Sequence, residues 1–376
     1  MASLVRICGA DVYTPEPLGV CDVVVGGGAI LAIGDISSLP DSGSTIDAKG
    51  KRLIPGLVDS LTHPCGGGGE GGFANRTDEL PLESFVAAGV TSPVAALGTD
   101  SIGRSLDVLY GKVMQLREQG LRAYMYTGAY RIPVPTLTGD VTRDLYLVEP
   151  VIGVGEVAIA DHRGTQPSAA ELRRLAGEAN LAGVLLGYGG VVFVHVGDGD
   201  SRLARLREAL QDSDLPVTAF FPTHVNRSEA HLEEAADWIQ AGGYADITVA
   251  TTPELIALGD IPAARALEIL LDAGAAAERI TFSSDAGGSL PVYEDGEFKG
   301  LSAATPDCLL KLLAEIAVTR PDLYPQAVAA MTANPANALN MGRLGRLRED
   351  GLADFLLVDA TDGALSHVFC GGRQLQ

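Results

Sequence analysis

Between residues 53 and 283 the chain alternates eight times between a short, nearly continuous apolar run and a longer amphipathic one. The apolar runs are Leu53–Val58, Thr91–Leu97, Ala123–Thr127, Val151–Ile159, Val191–Val196, Val217–Phe221, Asp246–Ala250 and Ile280–Ser283. Stretches of helical period, such as Leu203–Leu210, Glu229–Gln240 and Ala263–Ala273, lie between them. A strand with no polar face must be covered on both sides, which is the situation of a parallel strand linked to its neighbours by crossover helices. Eight such units predict closure into a (β/α)8 barrel. The alternative is an open doubly wound sheet, but no GxGxxG string follows the first run to support dinucleotide binding there.

A barrel of about 250 residues leaves room in a chain of 376 for one small appendage. Both ends have a different texture from the middle. Leu4–Ile7, Val23–Val25 and Ile30–Ile33 are short and β-like, with turns at Gly26–Gly28 and Gly43, and Phe355–Val358 and His367–Cys370 repeat the pattern. The two ends are expected to join: residues 1–55 with 345–376 as a small β-sandwich domain, and residues 56–344 as the barrel.

With 47% apolar and 20% charged residues, disorder is excluded. No apolar run approaches the roughly 20 residues that span a bilayer. Arg6, Asp11 and Glu16 interrupt the N-terminus, so neither signal peptide nor anchor is expected. A net charge of −21 argues against nucleic acid or an anionic membrane as partner. Cys8, Cys21, Cys65, Cys308 and Cys370 are odd in number and show no CxxC spacing, which reads as reduced thiols in a cytoplasmic protein.

Polar residues gather where the predicted strands end: His63, Thr99, Tyr130, Glu156 with Asp161-His162-Arg163, His195, His224 and Asp285. In a (β/α)8 barrel these ends converge on one mouth. A single strand-end histidine is more often structural, but four of the six histidines fall at such positions, and His231 and His367 read as surface residues. His195, His224 and an acid after the eighth strand offer the imidazole and carboxylate donors that zinc prefers. Asp285 suits either a metal ligand or a general base, although Ser283-Ser284-Asp285 is also a fair helix N-cap string. The run Gly66–Gly69, with Glu70 behind it, is either a flexible loop or a place where backbone and a carboxylate approach a ligand.

Several longer strings together resemble the isoaspartyl (β-aspartyl) dipeptidases of the amidohydrolase superfamily. They are Ile54–Asp59, Gly66–Glu70, Leu97–Ser101, Thr127–Tyr130, Asp161–Arg163, Pro222–Arg227 and Ser283–Asp285, with Asn334-Pro335-Ala336 and Gly351–Asp354 in the tail. The resemblance implies hydrolysis of dipeptides linked through the aspartate β-carboxyl at a two-zinc centre. It makes His195 and His224 the histidines of one metal site and Asp285 the ligand of the other and the proton shuttle. It makes Glu70 the acceptor of the substrate ammonium, Tyr130 the hydroxyl facing the tetrahedral intermediate, and Arg163 and Arg227 the holders of carboxylates. Thr99 and Ser289 match further substrate contacts, and a homo-oligomer, an octamer in this family, is expected.

Two positions depart from the family pattern. Its His-x-His pair is here Leu61-Thr62-His63, and its carbamylated lysine is here Glu156. A glutamate carboxylate also offers two oxygens and one negative charge, whereas leucine has no lone pair. The expectation is therefore one zinc per chain, on Glu156, His195 and His224, with His63 and Asp285 holding a second ion only at high metal concentration. Metal-dependent hydrolysis is the leading reading. A catalytically impaired homologue that binds an isoaspartyl-like ligand is the alternative, and a deaminase or lactonase on the same barrel is the third.

Overall fold

The computed structural model describes residues 4–36, 43–294 and 297–376. Both termini contribute to one eight-stranded sheet, ordered Arg373–Gln374, Leu365–Cys370, Phe355–Asp359, Lys51–Pro55, Val5–Tyr13, Pro17–Gly26 and Ala29–Gly34, with Ser44–Asp47 also paired to Val5–Tyr13. Its N-terminal strands are β1 (Val5–Tyr13), β2 (Pro17–Gly26), β3 (Ala29–Gly34), β4 (Ser44–Asp47) and β5 (Lys51–Pro55). The sheet encloses its own apolar core, in which Ile7, Val23, Ile30, Leu53, Phe355, Leu357 and Phe369 are buried. Residues 1–3 and 37–42 of the expected terminal unit lie outside the described residues.

Eight parallel strands follow: β6 (Leu57–Thr62), β7 (Val90–Ala95), β8 (Tyr124–Thr127), β9 (Val151–Ile159), β10 (Val191–Val196), β11 (Phe220–Thr223), β12 (Ala245–Thr248) and β13 (Ile280–Ser283). Helices between them cover the outside, giving the amidohydrolase-type barrel. The longest, Ala169–Leu186, starts at a Ser168/Glu171 capping box and stops at Gly187, whose φ of +76° is in the left-handed region that favours glycine. Its Leu172, Leu175, Ala176, Ala179 and Ala182 form the stripe buried on the sheet. No helix among the described residues is long and apolar enough to cross a membrane.

The first predicted strand, Leu53–Val58, is in fact two. Lys51–Pro55 pairs with β16 (Phe355–Asp359) in the terminal sheet, and Gly56 passes the chain into the barrel. A Cβ on Gly56 would fall 2.2 Å from Thr91 Oγ1, so the handover is tight enough to require glycine. The sixth strand also starts later than predicted, because Val217–Ala219 forms a 3-10 turn. After β13 comes a hairpin with no counterpart in the predicted pattern, β14 (Ser289–Glu294) and β15 (Glu297–Ala303), lying against the barrel mouth. The terminal sheet is completed by β17 (Leu365–Cys370) and β18 (Arg373–Gln374).

Ladder pairing runs continuously from β6 to β11 and separately between β12 and β13. The two seams are joined at their ends by Val225 N donating to Asp246 O (3.2 Å) and by a parallel bridge from Thr62 to Ala286. Across the barrel, the fully buried Asp246 carboxylate accepts from Ser60, Thr223, Thr281 and Ser283, hydroxyls on the strands flanking both seams. Burial raises its pKa to about 6, against the pull of those four donors. Asp59, held by the backbone and hydroxyl of Ser284, is raised by burial to about 7.

Candidate metal and substrate site

On a strand, residues two apart share a face. His63 and His195 therefore point the same way as Leu61 and Phe193 one pleat below them. Leu61, Tyr126, Phe193 and Phe221 belong to a buried apolar layer there, with Phe193 stacked on Tyr126 and edge-on to Phe221. The polar layer at the strand ends rests on this floor. His224 and Asp285 just beyond β11 and β13 have φ of +62° and +53°, a conformation non-glycine residues hold only where the surroundings impose it.

Glu156 is the centre of the layer. Its Oε2 lies 3.5 Å from His195 Nδ1 and 3.6 Å from His224 Nε2, is buried, and has no hydrogen-bond donor. Its Oε1 is 3.4 Å from His63 Nε2. Burial opposes ionisation of Glu156, but the three histidines outweigh it and hold its pKa well below the usual carboxylate range. Glu156, His195 and His224 each offer a ligand atom, all within 4.8 Å of one another. Bonds of ~2.0–2.1 Å to a tetrahedral zinc set ligand atoms about 3.3 Å apart, so this donor set fits a divalent metal.

The remaining hydrogen bonds present the correct lone pairs. His195 Nε2–H donates to Asp161 Oδ2 at 2.8 Å, which leaves Nδ1 as an acceptor, taken here by the Tyr130 hydroxyl at 2.9 Å. His224 Nδ1–H is directed at Thr248 Oγ1, leaving Nε2 free. Burial, reinforced by His195, lowers the His224 pKa to about 4, which keeps its ring neutral. His63 Nδ1–H donates to the Ala96 carbonyl at 3.1 Å, and its Nε2 is 3.1 Å from Asp285 Oδ1. Burial alone would lower its pKa, yet Asp285 and Glu156 raise it to about 10. Asp285 does not cap a helix: it leads into Ala286 and the hairpin.

Around this layer two connected cavities share Arg163, Arg227, Asp285 and Ser289. The inner one, about 60 Å³, also touches His63, Thr99, Tyr130, Glu156 and His195. The outer one, about 440 Å³, adds Glu70 and His224 and an apolar wall of Leu255, Leu258, Leu290, Pro291 and Leu301. The glycine run is pinned rather than loose: Arg104 donates to the carbonyls of Cys65 and Thr77, and Gly67 N donates to Thr77 Oγ1. A Cβ on Gly66, at φ +78°, would fall 2.3 Å from Thr77 O. The loop thus delivers Glu70, whose Oε1 accepts from Thr99 Oγ1 (2.7 Å) and Arg163 Nη1 (3.2 Å). Its Oε2 is buried with no partner.

Every predicted site residue lines one of the two cavities, and two of them already have protein partners there. The Thr99 hydroxyl is committed to Glu70. Arg163 is already paired with Asp161 and Glu70. Arg227 donates through Nε to the Val196 carbonyl, and its terminal nitrogens have no bonded acceptor among the described residues. His231, read as a surface residue, is buried between Ser228 Oγ and the Gly197 carbonyl, because its helix turns that face onto the barrel. His367 is half-buried beside Ser366. Asp161, Thr248 and the apolar wall were not predicted, and of these only Asp161, two residues before Arg163, lay in a string that had drawn notice.

Residues 52–375 match the model of the Amidohydrolase family. The β-aspartyl dipeptidase of Fervidobacterium islandicum AW-1, solved with a β-Asp-Leu dipeptide, superimposes with a TM-score of 0.90 at 34% identity, covering 99% of this chain and 97% of that one. The chain belongs to the isoaspartyl dipeptidase family. A second structure of the same Fervidobacterium enzyme gives a TM-score of 0.89 at 33% identity, over 99% of this chain and 97% of that one. The dihydropyrimidinase of Brevibacillus agri, at 17% identity, 99% and 95% coverage and a TM-score of 0.69, shares the fold alone. This member of the family is thus an amidohydrolase-type hydrolase, with a site that could hold a divalent metal. Relative to the expected His-x-His pair, it has Leu61 sealed in the apolar floor.

Proposed function

We propose that this hydrolase cleaves the amide bond of β-aspartyl dipeptides, or of closely related small zwitterionic amides, with one zinc held by Glu156, His195 and His224. The observation that carries the reading is that an orphaned Glu156 oxygen facing two histidine lone pairs lines the inner cavity and an orphaned Glu70 oxygen the adjoining outer one, with Arg227, whose terminal nitrogens have no bonded acceptor among the described residues, lining both. When bound there, a divalent metal acidifies a water and polarises a carbonyl. Asp285, whose buried Oδ1 lies 3.1 Å from His63 Nε2, accepts the water's proton and returns it to the leaving amine. Tyr130 turns its hydroxyl from His195 to the developing oxyanion. Glu70 Oε2 receives the α-ammonium and Arg227 a carboxylate by paired N–H donors.

The apolar wall of the outer cavity suits an apolar residue after the β-aspartyl unit, as in the dipeptide bound to the Fervidobacterium enzyme. Self-association would cover Val108, Tyr110, Tyr146, Leu147, Leu181, Val184 and Leu185, exposed on three successive helices, and light scattering measures it. Five free cysteines suit a reducing, cytoplasmic location.

Leu61 favours a second reading, an impaired homologue that binds the ligand without turnover. Hydrolysis of β-Asp-Leu by zinc-loaded and chelator-treated protein separates the two. Chelator-sensitive release of leucine is expected. A zinc-loaded protein that binds the dipeptide and releases nothing overturns the hydrolase reading.

A further inference from the structure

Asp161 follows β9 by two residues and lies 4% exposed beneath the cavity. Its Oδ1 accepts from the Arg163 backbone N–H (2.8 Å) and Nε (3.0 Å), and its Oδ2 from Arg163 Nη2 (2.6 Å) and His195 Nε2 (2.8 Å). The fit is built into the backbone. A Cβ on Gly197 would fall 2.6 Å from Asp161 Cβ and 2.3 Å from the Ala160 carbonyl oxygen, so only glycine after Val196 lets the two loops meet. Gln166 Nε2 fixes the Asp161 carbonyl from the other side at 2.7 Å.

Two consequences meet on this carboxylate. The Asp161 Oδ2, 2.8 Å from His195 Nε2, takes the imidazole N–H there and leaves the Nδ1 lone pair facing Glu156 3.5 Å away. The same carboxylate takes Arg163 Nε and Nη2 side by side, so that Nη1 is the nitrogen left to hold Glu70 Oε1. We infer that Asp161 is the positioning residue of this site: it sets the His195 tautomer for metal binding and, through Arg163, aims the Glu70 carboxylate at the substrate ammonium. This rests on the metallohydrolase reading above. An outer carboxylate of this kind typically contributes 10–100-fold to metal affinity, and an amide in its place favours the wrong imidazole tautomer.

The test is zinc affinity of the parent and of Asp161→Asn by chelator competition, beside β-Asp-Leu affinity of both proteins. Asp161→Asn is expected to bind zinc about 10–100-fold more weakly and the dipeptide more weakly as well, since both readouts run through one side chain. Zinc affinity equal to the parent's overturns the inference. A parent that takes up no divalent metal overturns the metallohydrolase reading instead. Nitrogen-15 NMR of the parent's His195 ring gives a check that needs no variant: the proton is expected on Nε2, and a proton on Nδ1 overturns the inference.

Discussion

Replacing Leu61 by histidine asks whether one side chain separates a one-metal from a two-metal centre. Leu61 is fully buried in the layer formed with Tyr126, Phe193 and Phe221, and its strand points it to the same side as His63. Removing the leucine from that layer forfeits about 1.5–3 kcal/mol of burial. A buried imidazole N–H without an acceptor adds about 1–3 kcal/mol. In chelator, Leu61→His should therefore be destabilised by about 2.5–6 kcal/mol in urea unfolding. If the new imidazole joins His63 and Asp285 as a second site, zinc at 100 times its dissociation constant returns about 2.7 kcal/mol beyond any gain in the parent. Elemental analysis should then rise from one zinc per chain to two. A variant that holds one zinc, with no extra stabilisation, shows that the floor does not admit the ring as a ligand. Two zincs in the parent would refute the reasoning at its root, since some other residue would then be completing the second site.

Other changes test the remaining parts. Glu70→Ala and Arg227→Ala should each weaken β-Asp-Leu binding by about 2–5 kcal/mol in calorimetry, because each leaves a ligand charge unpaired. Unchanged affinity in both would reject the zwitterionic substrate class. Asp59, raised by burial to about 7 in the fold, keeps its proton longer folded than unfolded. Its ionisation therefore erodes stability as pH climbs from about 4 to 7, by up to ~1.4 kcal/mol per unit. Asp59→Asn should flatten that slope in unfolding measured at pH 5 and 7 in chelator, leaving a residual fall from Asp246, and an unaltered slope would contradict the assignment. Gly287 has φ +79° and a Cβ there would lie 2.2 Å from the His63 carbonyl oxygen, so Gly287→Ala should cost about 1–3 kcal/mol of stability and disturb His63. Wild-type stability with normal metal uptake would show that this contact yields easily.

What could be read before the structure followed from periodicity and from strand ends. Val151–Ile159, Val191–Val196 and Ile280–Ser283 coincide with the predicted runs, the first two because both faces are mainly apolar and the third because Ile280 and Phe282 alternate with small hydroxyl residues. Leu53–Val58 misled because two strands of different sheets are equally apolar and only Gly56 separates them. The proposed metal ligands and Glu70 were legible as a constellation of candidates, since a barrel brings successive strand ends together whatever their distance in sequence. Asp161 was not legible as a partner of His195, because an aspartate two residues before an arginine reads as a local ion pair, and the contact depends on how closely Gly197 lets two loops approach. His231 failed for a related reason: periodicity identifies a helix but not which polar residue on it meets an orphan carbonyl. The hairpin Ser289–Ala303 carries a mixed apolar and charged sequence with no clear alternation, and its place over the mouth is tertiary information.

The division of the barrel into a six-stranded and a two-stranded ladder separates the two halves of the chemistry. Glu156 and His195 lie in, and His224 follows, strands of one hydrogen-bonded piece, and Asp285 follows a strand of the other. The pieces are fastened by the Asp246 hub, the hydroxyls around it and contacts at the strand ends, so the distance between Asp285, the proposed proton acceptor, and the proposed metal ligands is adjusted by side chains rather than by backbone ladders. Substitutions in that buried hub, outside both cavities, are thus a way to retune the spacing of the proposed catalytic partners while both ladders stay intact.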